Sequence, residues 1–434
     1  MTESFDVAIV GAGPAGTSAA ITLAQKGVKT VVFERGEYPG AKNISGGVIY
    51  GHDLAQVLPD FAEKNPPIER SIIEMRGWYL SEQGGYNVSY RDAVFTDERR
   101  YNCFTVGRAK FDRWFAEQAR AKGALIVCST VVTDLLRDES GKVVGVIADR
   151  PDGVLRAKVV LLADGINSPL AASTGFRPEV KPEHVALAVK EIVELPEEVI
   201  CERFGVPPGY GVTTEILGSI TWGMNGVGVL YTNRNSLSLC IGANLQDFQK
   251  HKVHPYDMLE AFKAHPMVAP LVKDGKPKEY MAHWLAEGGY DTIPQLVGDG
   301  YLIAGDSAML FNAPHREGSN LAMTSGRLAA EAIAEALVSG DTSRRGLERY
   351  VTLLQQSYVL QDMKKYRRFG PFLHRHHEIF TTLPGLASMA AREIVTVDGV
   401  PKKEKQKRIW SELRRHLSLS QMARLAWDAW RAVR

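Results

Sequence analysis

Three glycines near the start of the chain have the spacing of a dinucleotide-binding turn. Gly11, Gly13 and Gly16 form G-x-G-x-x-G between an apolar run and a helix-like segment that begins with Pro14 and Ala15. Gly11 allows a tight turn, Gly13 lets a pyrophosphate approach the backbone, and Gly16 lets the helix pack closely on the strand. Because a helix N-terminus offers free N–H groups to phosphate, this turn is predicted to bind an adenine dinucleotide.

An acidic residue completes the pattern. Glu34 follows Gly16 by 18 residues, directly after the apolar run 30–33. Its carboxylate can accept hydrogen bonds from a ribose diol, and its neighbour Arg35 is assigned to the same site. The glycine spacing alone would be weak. The complete order of strand, turn, helix, strand and acid favours a cofactor site over a plain glycine turn.

Two further strand ends carry an aspartate beside a glycine. Asp164-Gly165 ends the buried run that begins at 159, and Gly305-Asp306 follows the run that begins at 301. Each pair alone is typical of an ordinary turn. A carboxylate at such a strand end can also bind a ribityl or ribose hydroxyl. Together with the first motif, the two pairs favour FAD over NAD.

The segment before a predicted helix at 321–339 supplies a third element. Gly318, Ser319 and Asn320 would direct backbone N–H groups at an anion, such as the negatively charged N1/O2 edge of a reduced flavin. His315 and Arg316 precede them. Two interpretations of this pair remain open, which are tuning of the flavin potential and solvated charges in a surface loop.

These elements predict an α/β fold class with a Rossmann-like FAD-binding domain, an inserted and mostly antiparallel β domain, and a helical C-terminus. The predicted boundaries are 1–174 with 298–340 for the FAD domain (carrying an insert at 37–107), 175–297 for a quinone or substrate domain, and 341–434 for the helical region. The apolar segment 218–231 is expected to be a core hairpin, with a quinone channel or a bilayer contact as the alternative.

Composition narrows the possible functions. The chain has 434 residues, 45% apolar and 24% charged, with a net charge of +2, which gives little support to nucleic-acid binding. None of its four cysteines forms a C-x-x-C pair, so no zinc site or iron–sulfur cluster is expected. We see neither a signal peptide nor an apolar run long enough for a membrane span, and we expect a cytoplasmic protein.

The C-terminal tail differs from the rest of the chain. Residues 401–434 hold ten Lys/Arg and three Asp/Glu, a net charge of +7, whereas the preceding 400 residues total −5. The last helix has an apolar stripe at helical spacing, formed by Leu419, Met422, Ala423, Ala426, Trp427, Trp430 and Val433, with Arg424, Asp428 and Arg431 opposite. We expect this helix to pack on its own protein or on a subunit, with a membrane interface as the alternative.

The motifs resemble those of flavoproteins that include p-hydroxybenzoate hydroxylase and geranylgeranyl reductase, and this resemblance adds Arg108 to the cofactor-binding residues. More specific segments resemble electron-transfer-flavoprotein:quinone oxidoreductases, most closely the shorter bacterial FixC-type branch. These segments are GAKNISGGVIYG (40–51), LPDFAEKNPPIER (58–70), LAVKEIVELPEEVI (187–200) and NAPHREGSNLAMTSG (312–326). The first of them would bring Ser45, Gly46 and Gly47 close to the isoalloxazine.

The resemblance implies a function and partners. Electrons would arrive from a two-subunit electron-transfer flavoprotein (FixAB-like), pass through FAD and reduce quinone at the inner face of the membrane. The longer family members carry a four-cysteine cluster that this chain lacks, which implies a separate ferredoxin-like iron–sulfur subunit (FixX-like). Such a complex bifurcates electrons from NADH, reducing quinone and also a low-potential ferredoxin or flavodoxin that can feed nitrogenase in nitrogen fixation.

Two alternatives remain open. One is a stand-alone flavin enzyme akin to geranylgeranyl reductases that uses NAD(P)H directly, and the other is a flavin-bound scaffold subunit. No second glycine fingerprint is present, so a second fixed nicotinamide domain is not expected. No catalytic triad or carboxylate dyad is recognisable either. We therefore expect the cofactor to supply the chemistry while the protein binds and tunes it.

Overall fold

The computed structural model describes residues 4–42, 47–97 and 102–434. The strands in these ranges are β1 (Phe5–Val10), β2 (Thr30–Phe33), β3 (Val48–Tyr50), β4 (Ile68–Leu80), β5 (Gly85–Arg91), β6 (Cys103–Val106), β7 (Leu125–Val127), β8 (Val132–Arg137), β9 (Val143–Ala148), β10 (Val154–Leu162), β11 (Val185–Glu194), β12 (Tyr210–Gly218), β13 (Gly226–Thr232), β14 (Ser236–Asn244), β15 (Lys276–Ala286), β16 (Val297–Gly298) and β17 (Tyr301–Ile303). The α-helices are α1 (Pro14–Gln25), α2 (Gly51–Val57), α3 (Arg108–Ala121), α4 (Pro169–Ser173), α5 (Glu197–Phe204), α6 (Leu245–His251), α7 (Pro255–Ala264), α8 (Ala269–Val272), α9 (Ser319–Ser339), α10 (Arg344–Leu347), α11 (Arg349–Gln356), α12 (Tyr358–Lys365), α13 (Phe369–Arg375), α14 (Thr382–Val395), α15 (Lys402–His416) and α16 (Leu419–Val433).

The chain divides into two compact units, each built from three segments. They comprise residues 1–69, 99–184 and 284–365 in the first unit, and 70–98, 185–283 and 366–434 in the second. This division differs from the predicted boundaries in several places, since residues 175–184 and 284–297 also belong to the first unit. Most of β4 and all of β5 belong to the second unit because β4 pairs with β12. The predicted helical region is divided as well, because α10 to α12 belong to the first unit. A quinone-binding role for 175–297 stays a prediction.

A parallel sheet forms the centre of the first unit, in the order β17-β10-β1-β2-β7. Its central strands are almost continuously apolar and buried, as expected for parallel strands covered on both faces. Val10 pairs with both Phe33 and Leu162, and Leu162 pairs with Ile303. Four strands therefore end in register, and the residues that follow them lie side by side at one edge of the sheet.

The second unit contains a mostly antiparallel sheet, as predicted, in the order β15-β11-β14-β13-β12-β4 with β5 beside β4. Alternate residues such as Leu237, Leu239 and Ile241 face an apolar core that includes side chains of α5, α6 and α7. In the predicted hairpin at 218–231, Met224 is part of this core, whereas Trp222 is 45% exposed.

The last helix packs on its own unit, but not through the predicted stripe. Leu419, Trp427, Trp430 and Val433 are between 45% and 61% exposed. The buried face consists instead of Leu425, Asp428, Ala429 and Ala432, which pack with residues of α13 and the turn after it. The helix therefore packs on its own protein, as expected, but its tryptophan face is exposed in this chain, and a subunit or membrane contact of that face stays a prediction.

Asp428 explains this choice of face, because its charge is compensated by residues at the C-terminal end of α13. His376 Nε2 lies 3.1 Å from Asp428 Oδ2, and Arg375 Nη1 lies 3.5 Å from the same oxygen. The second ring nitrogen of His376, Nδ1, lies 2.7 Å from Glu378 Oε1. Hydrogen bonding to His376 is the main cause that lowers the pKa of Asp428. A carboxylate paired in this way can lie on the buried face of a helix.

Candidate functional site

The predicted glycine turn lies between β1 and α1. Gly11 has φ of +100°, and a Cβ there would lie 2.3 Å from the carbonyl oxygen of Ala163. A Cβ on Gly16 would lie 1.9 Å from the carbonyl oxygen of Gly11, so helix and turn meet too closely for any side chain. At Gly13 a Cβ would meet nothing within 4 Å. The turn thus leaves open space at the glycine expected to face a pyrophosphate.

Pro14 and Ala15 form the first turn of α1, which Gly13 precedes without a side-chain cap. Pro14 has no N–H group to leave unsatisfied and a φ suited to a helix start. Ala15 is buried, and a Cβ on Gly326 of α9 would lie 2.0 Å from the Ala15 carbonyl oxygen. Glycine at 326 therefore lets α9 approach the start of α1, so both helices contribute their N-terminal regions to one part of the first unit.

Glu34 lies beside the glycine turn, at the end of β2. Its Oε2 accepts a hydrogen bond from the Ala12 N–H (3.0 Å), and its Oε1 accepts one from the Gly36 N–H (2.7 Å). These bonds hold the buried carboxylate in place while each oxygen keeps a further lone pair for a ribose hydroxyl. Arg35 is exposed, and its predicted role in cofactor binding stays a prediction.

Asp164 follows β10 and belongs to a small polar network. Its Oδ1 accepts hydrogen bonds from Ser168 Oγ (2.7 Å) and Ser307 Oγ (3.0 Å), and Ser307 Oγ in turn accepts one from the Gly165 N–H (2.9 Å). Burial raises the pKa of Asp164, although the two serines and Arg177 favour its charged form. The Oδ2 atom is buried and has no hydrogen-bond partner. A hydroxyl donor on a bound cofactor would satisfy it.

Arg108 and Asp306 lie near one another in the first unit. Arg108 forms a forked ion pair with Asp112, one helical turn along α3, with Nε to Oδ1 and Nη2 to Oδ2 both at 2.9 Å. Asp306 follows Gly305 at the end of β17, and the φ of Gly305 is +63°. Burial raises the pKa of Asp306 to about 6, and the charge of Arg108 opposes that rise. The site therefore holds a carboxyl that titrates near neutral pH.

The pKa of Asp306 predicts how the stability of FAD-free protein depends on pH. An unfolded aspartate has a pKa of about 3.9. The folded pKa is higher, so the stabilising contribution is complete below about pH 4 and is lost as the pH rises through about 6. We expect the free energy of unfolding to lose about 3 kcal/mol through Asp306 once the pH has passed both pKa values, since each pKa unit corresponds to about 1.4 kcal/mol. Urea titrations at several pH values should show this loss of free energy in the wild type but not in Asp306→Asn. Identical pH dependence of the two proteins would contradict the raised pKa of Asp306.

The segment before α9 supplies the anion-binding end of the site. Gly318 precedes α9 without a side-chain cap, and Ser319 Oγ donates a hydrogen bond to the Val48 carbonyl (3.1 Å). Asn320 is buried, and its Oδ1 has no hydrogen-bond partner. Free N–H groups of the first turn and an unsatisfied amide oxygen suit a ligand with both acceptor and donor atoms. This is the chemistry of the flavin pyrimidine ring.

His315 and Arg316 occupy the turn before Gly318. His315 is exposed, whereas Arg316 is half-buried, has φ of +54° and has a buried Nε without a hydrogen-bond partner. Burial raises the pKa of Glu287, and the charge of the nearby Arg316 opposes that rise. Of the predicted pair, Arg316 is thus the more buried, and tuning of the flavin by either residue stays a prediction. The sequence does not predict Glu287 as a site residue, because only the fold brings it near Arg316.

The residues at 45–47 can be placed only in part. Ser45 and Gly46 lie outside the described residues. Gly47 precedes β3, and its carbonyl accepts a hydrogen bond from the Val106 N–H (2.8 Å). Three further residues of the site were not predicted from the sequence, namely Ser168, Asp112 and Ser307. Ser307 directly follows the predicted Gly305-Asp306 pair.

The first unit fits FAD. Gly13 leaves the backbone of the turn open, and hydrogen bonds hold the carboxylates of Glu34 and Asp164 in place. Asp164 Oδ2 and Asn320 Oδ1 are buried acceptors without a hydrogen-bond partner. Asp306 adds a third carboxyl group. The turn at 11–16 would hold the pyrophosphate, Glu34 the ribose, the strand-end aspartates the hydroxylated linker, and the start of α9 the flavin ring. The described residues contain no group of three or more His, Cys, Asp or Glu side chains that could hold a metal ion. Within those ranges no helix is long and apolar enough to cross a bilayer.

Family models match three parts of the chain. Two models described as FAD dependent oxidoreductase match residues 6–178 and 99–335, and the ETF-QO/FixC family C-terminal domain matches residues 369–434. Among solved structures, a geranylgeranyl bacteriochlorophyll reductase-like protein from Thermoplasma acidophilum has a TM-score of 0.73 at 19% identity, covering 95% of this chain and 96% of that one. The flavin-dependent brominase Bmp2 has a TM-score of 0.65, also at 19% identity, covering 91% and 92%. These likenesses confirm the predicted fold.

Curated relatives cover nearly the whole chain. Protein FixC of Azorhizobium caulinodans is 47% identical over 408 residues, covering 94% of this chain and 93% of the relative. Protein FixC of Azotobacter vinelandii is 45% identical over 434 residues, covering 100% of both chains. Protein FixC of Escherichia coli K12 is 42% identical over 401 residues, covering 92% of both. With these relatives and an FAD-compatible site at the sheet edge, the chain belongs to the ETF-QO/FixC family and is an FAD-dependent oxidoreductase.

Proposed function

We propose that this protein passes electrons from a two-subunit electron-transfer flavoprotein through FAD to quinone. Membership of the ETF-QO/FixC family is the single observation that carries this proposal. The lack of a second glycine fingerprint supports it, because an enzyme reduced directly by a tightly held nicotinamide would need a second nucleotide site. Bound FAD would supply the redox chemistry, accepting two electrons and releasing them to an acceptor.

The residues at the sheet edge would hold and tune that cofactor. Glu34 and Asp164 are fixed by hydrogen bonds before any ligand arrives, so little ordering is needed on binding. Arg316 and the start of α9 place positive charge at the end expected to face the flavin ring. Positive charge there stabilises an anionic reduced flavin and so raises its potential. These residues would set how readily FAD accepts electrons from the partner.

We further propose that the chain works within a complex. The family resemblance predicts a ferredoxin-like iron–sulfur subunit, and the cysteine pattern is consistent with a cluster carried by another chain. In such a complex NADH oxidation would reduce quinone and, in parallel, a low-potential ferredoxin or flavodoxin. The fold likeness to a geranylgeranyl reductase-like protein supports the architecture only and does not favour a stand-alone reductase.

Reconstitution tests this function. The purified holoprotein is mixed with the electron-transfer flavoprotein and the ferredoxin-like subunit from the same cell, with NADH and a water-soluble quinone. We expect NADH-dependent quinol formation only when this chain and the flavoprotein are both present. Rapid reduction of the isolated chain by NADPH, with no need of the flavoprotein, would contradict the proposal and favour the stand-alone enzyme.

The C-terminal helices support a contact with the membrane, where quinone dissolves. The exposed stripe of α16 carries Trp427 and Trp430, whose rings stack with centroids 5.1 Å apart. Trp410 of α15 and the residues Val395 and Val397 are exposed as well. Exposed cations surround them, namely Lys403, Lys407, Arg414, Arg415, Arg424 and Arg431. Tryptophans and basic residues on exposed amphipathic helices suit an interface with anionic lipid.

Changing both tryptophans to serine should weaken binding to anionic vesicles. Burying one large apolar side chain contributes about 1.5–3 kcal/mol, so Trp427→Ser with Trp430→Ser should lower the binding constant at least about tenfold. Sedimentation with vesicles rich in phosphatidylglycerol measures this, and Trp284→Ser is the matched control because Trp284, in β15, is 39% exposed and lies outside both the tail and the segment 218–231. Equal sedimentation of the double variant and the wild type would contradict the membrane contact.

A further inference from the structure

A group of carboxyl side chains lies around the start of α9 and is not used by the cofactor site described above. Asp53 in α2 is buried, and its Oδ1 accepts hydrogen bonds from Tyr358 OH (2.6 Å) and Thr324 Oγ1 (2.7 Å). Tyr358 and Asp362 lie four residues apart on α12 and so share a face of that helix. These contacts join α2, α9 and α12 around one small polar region.

Glu317 is the member of this group nearest in sequence to α9. Its backbone forms a two-way bridge with Asn312, with N···O distances of 2.9 and 3.2 Å. The Asn312 side-chain amide also donates to Glu317 Oε2 at 3.0 Å. Burial raises the pKa of Glu317, and the charges of Asp362 and Asp53 raise it further. The hydrogen bond from Asn312 and the charge of His315 lower it by less. Glu317 therefore keeps its proton to a higher pH than an ordinary glutamate.

A second observation is independent of these charges. Asn312 is 2% exposed, and the Oδ1 atom of the amide that holds Glu317 has no hydrogen-bond partner. A buried acceptor without a partner costs free energy unless a donor reaches it. An ordered water is the simplest donor in a polar region, and such a water beside a protonated carboxyl is a path for protons. Asn312 thus points to a hydrated proton route that includes Glu317.

The position of Glu317 links this route to electron transfer. Glu317 directly precedes Gly318, the residue at which α9 begins, and the start of α9 is where the flavin ring is expected. Electrons that arrive there add negative charge close to the Glu317 carboxyl. Added negative charge raises the affinity of a neighbouring carboxyl for protons. Reduction at the start of α9 should therefore draw a proton onto Glu317.

We propose that Glu317 is a proton-relay residue that takes up a proton on reduction and passes it toward quinone, with Asp362 as its connection to solvent. This inference rests on the proposed function, because reduction of quinone to quinol consumes two electrons and two protons. The electrons come from reduced FAD. In the relay, the O–H bond of Glu317 breaks, its electron pair stays on the carboxylate, and the proton forms a new O–H bond on the quinone oxygen through bridging water. Water then reprotonates the carboxylate through Asp362, and a second passage through the same relay supplies the second proton of the quinol.

Two electron acceptors with different proton needs test the relay. The holoprotein is reduced with dithionite under anaerobic conditions and mixed rapidly with a water-soluble quinone or with ferricyanide, which accepts electrons without protons. Glu317→Gln should slow reoxidation by quinone about tenfold or more, within the range expected when proton transfer is impaired, and leave reoxidation by ferricyanide within about twofold. The matched control is Glu335→Gln, because Glu335 is an exposed glutamate of α9 about 24 Å along the helix from its start at Ser319.

A pH-indicator dye gives a second readout that does not depend on turnover. On reduction, the wild type should take up more protons than Glu317→Gln in a pH window above the pKa of Glu317 in the oxidised protein. Equal slowing with both acceptors, or no slowing with quinone, would overturn the relay. If the reduced wild type reacts with ferricyanide but not with quinone, the proposed function fails. The relay is then tested by proton uptake alone. Equal uptake by both proteins at every pH would overturn the relay independently.

Discussion

Replacing Gly13 with aspartate should remove FAD from the protein while leaving the fold intact. Gly13 has φ of −76° and ψ of −175°, an extended conformation open to any residue, and a Cβ there meets nothing within 4 Å. The new carboxylate would face the negatively charged pyrophosphate at the turn. Two like charges about 4 Å apart repel by about 4 kcal/mol at the effective dielectric constant of a protein surface, which weakens binding by about a thousandfold.

Flavin absorbance per protein after gel filtration measures this loss, and circular dichroism checks the fold. Gly16→Ala is an informative comparison, because its Cβ would lie 1.9 Å from the Gly11 carbonyl oxygen. That variant should lose stability as well as FAD, whereas Gly13→Asp should lose FAD alone. Full FAD occupancy in Gly13→Asp would show that the dinucleotide binds elsewhere.

Arg108→Met should destabilise the protein by about 3–5 kcal/mol, the usual cost of removing one partner of a buried ion pair. Arg108 and Asp112 are both buried and joined by two hydrogen bonds of 2.9 Å. Without the guanidinium, the buried Asp112 carboxylate loses both of these hydrogen bonds and the positive charge of Arg108. Asp306 also loses the positive charge that opposes its raised pKa. Urea unfolding of the FAD-free protein measures the change.

Removing the second partner tests whether the cost comes from the unpaired charge. Asp112→Leu added to Arg108→Met should recover a large part of the lost free energy of unfolding, since the Asp112 charge is then removed together with its partner, although Asp306 still lacks Arg108. Arg108→Lys keeps a positive charge but loses the fork geometry, so it should fall between Met and the wild type. Stability of Arg108→Met within about 1 kcal/mol of the wild type would contradict this role for the pair.

Much of the site could be predicted because parallel strands impose a common geometry. The apolar runs before Gly11, Glu34, Asp164 and Gly305 are each followed by turn or acidic residues. Once those runs are strands of one parallel sheet, their carboxyl ends share an edge. The register confirms this, since Val10 pairs with residues of both neighbouring strands at their ends. The pattern of apolar runs and following residues therefore predicts where the site lies in the fold.

Other parts depend on details that periodicity does not resolve. The apolar helical spacing of Phe111, Trp114, Phe115 and Ala119 starts only at Phe111, whereas α3 begins three residues earlier, at Arg108. Only with that earlier start are Arg108 and Asp112 one turn apart and able to form their forked pair. Asn312 and Glu317 face each other through a local bridge that has no sequence signature of its own. Such positions need the backbone, not the residue types alone.

The last helix shows the same limit in another form. Its apolar stripe was readable from spacing, but spacing cannot tell which face is covered. Asp428 is buried because His376, 52 positions earlier in the chain, pairs with its carboxylate. That long-range pair reverses the ordinary rule that the charged face of a helix meets solvent. The tryptophans are left exposed as a consequence.

Anaerobic rapid mixing of the reduced holoprotein with a water-soluble quinone tests electron transfer from FAD to quinone most directly. We expect the flavin spectrum to return to the oxidised form at the rate at which quinol appears, with one quinol formed per FAD oxidised. Gly13→Asp, which lacks FAD, should form no quinol under the same conditions. Reduced wild-type flavin that persists in the presence of quinone, yet is reoxidised at once by ferricyanide, would contradict the proposed function.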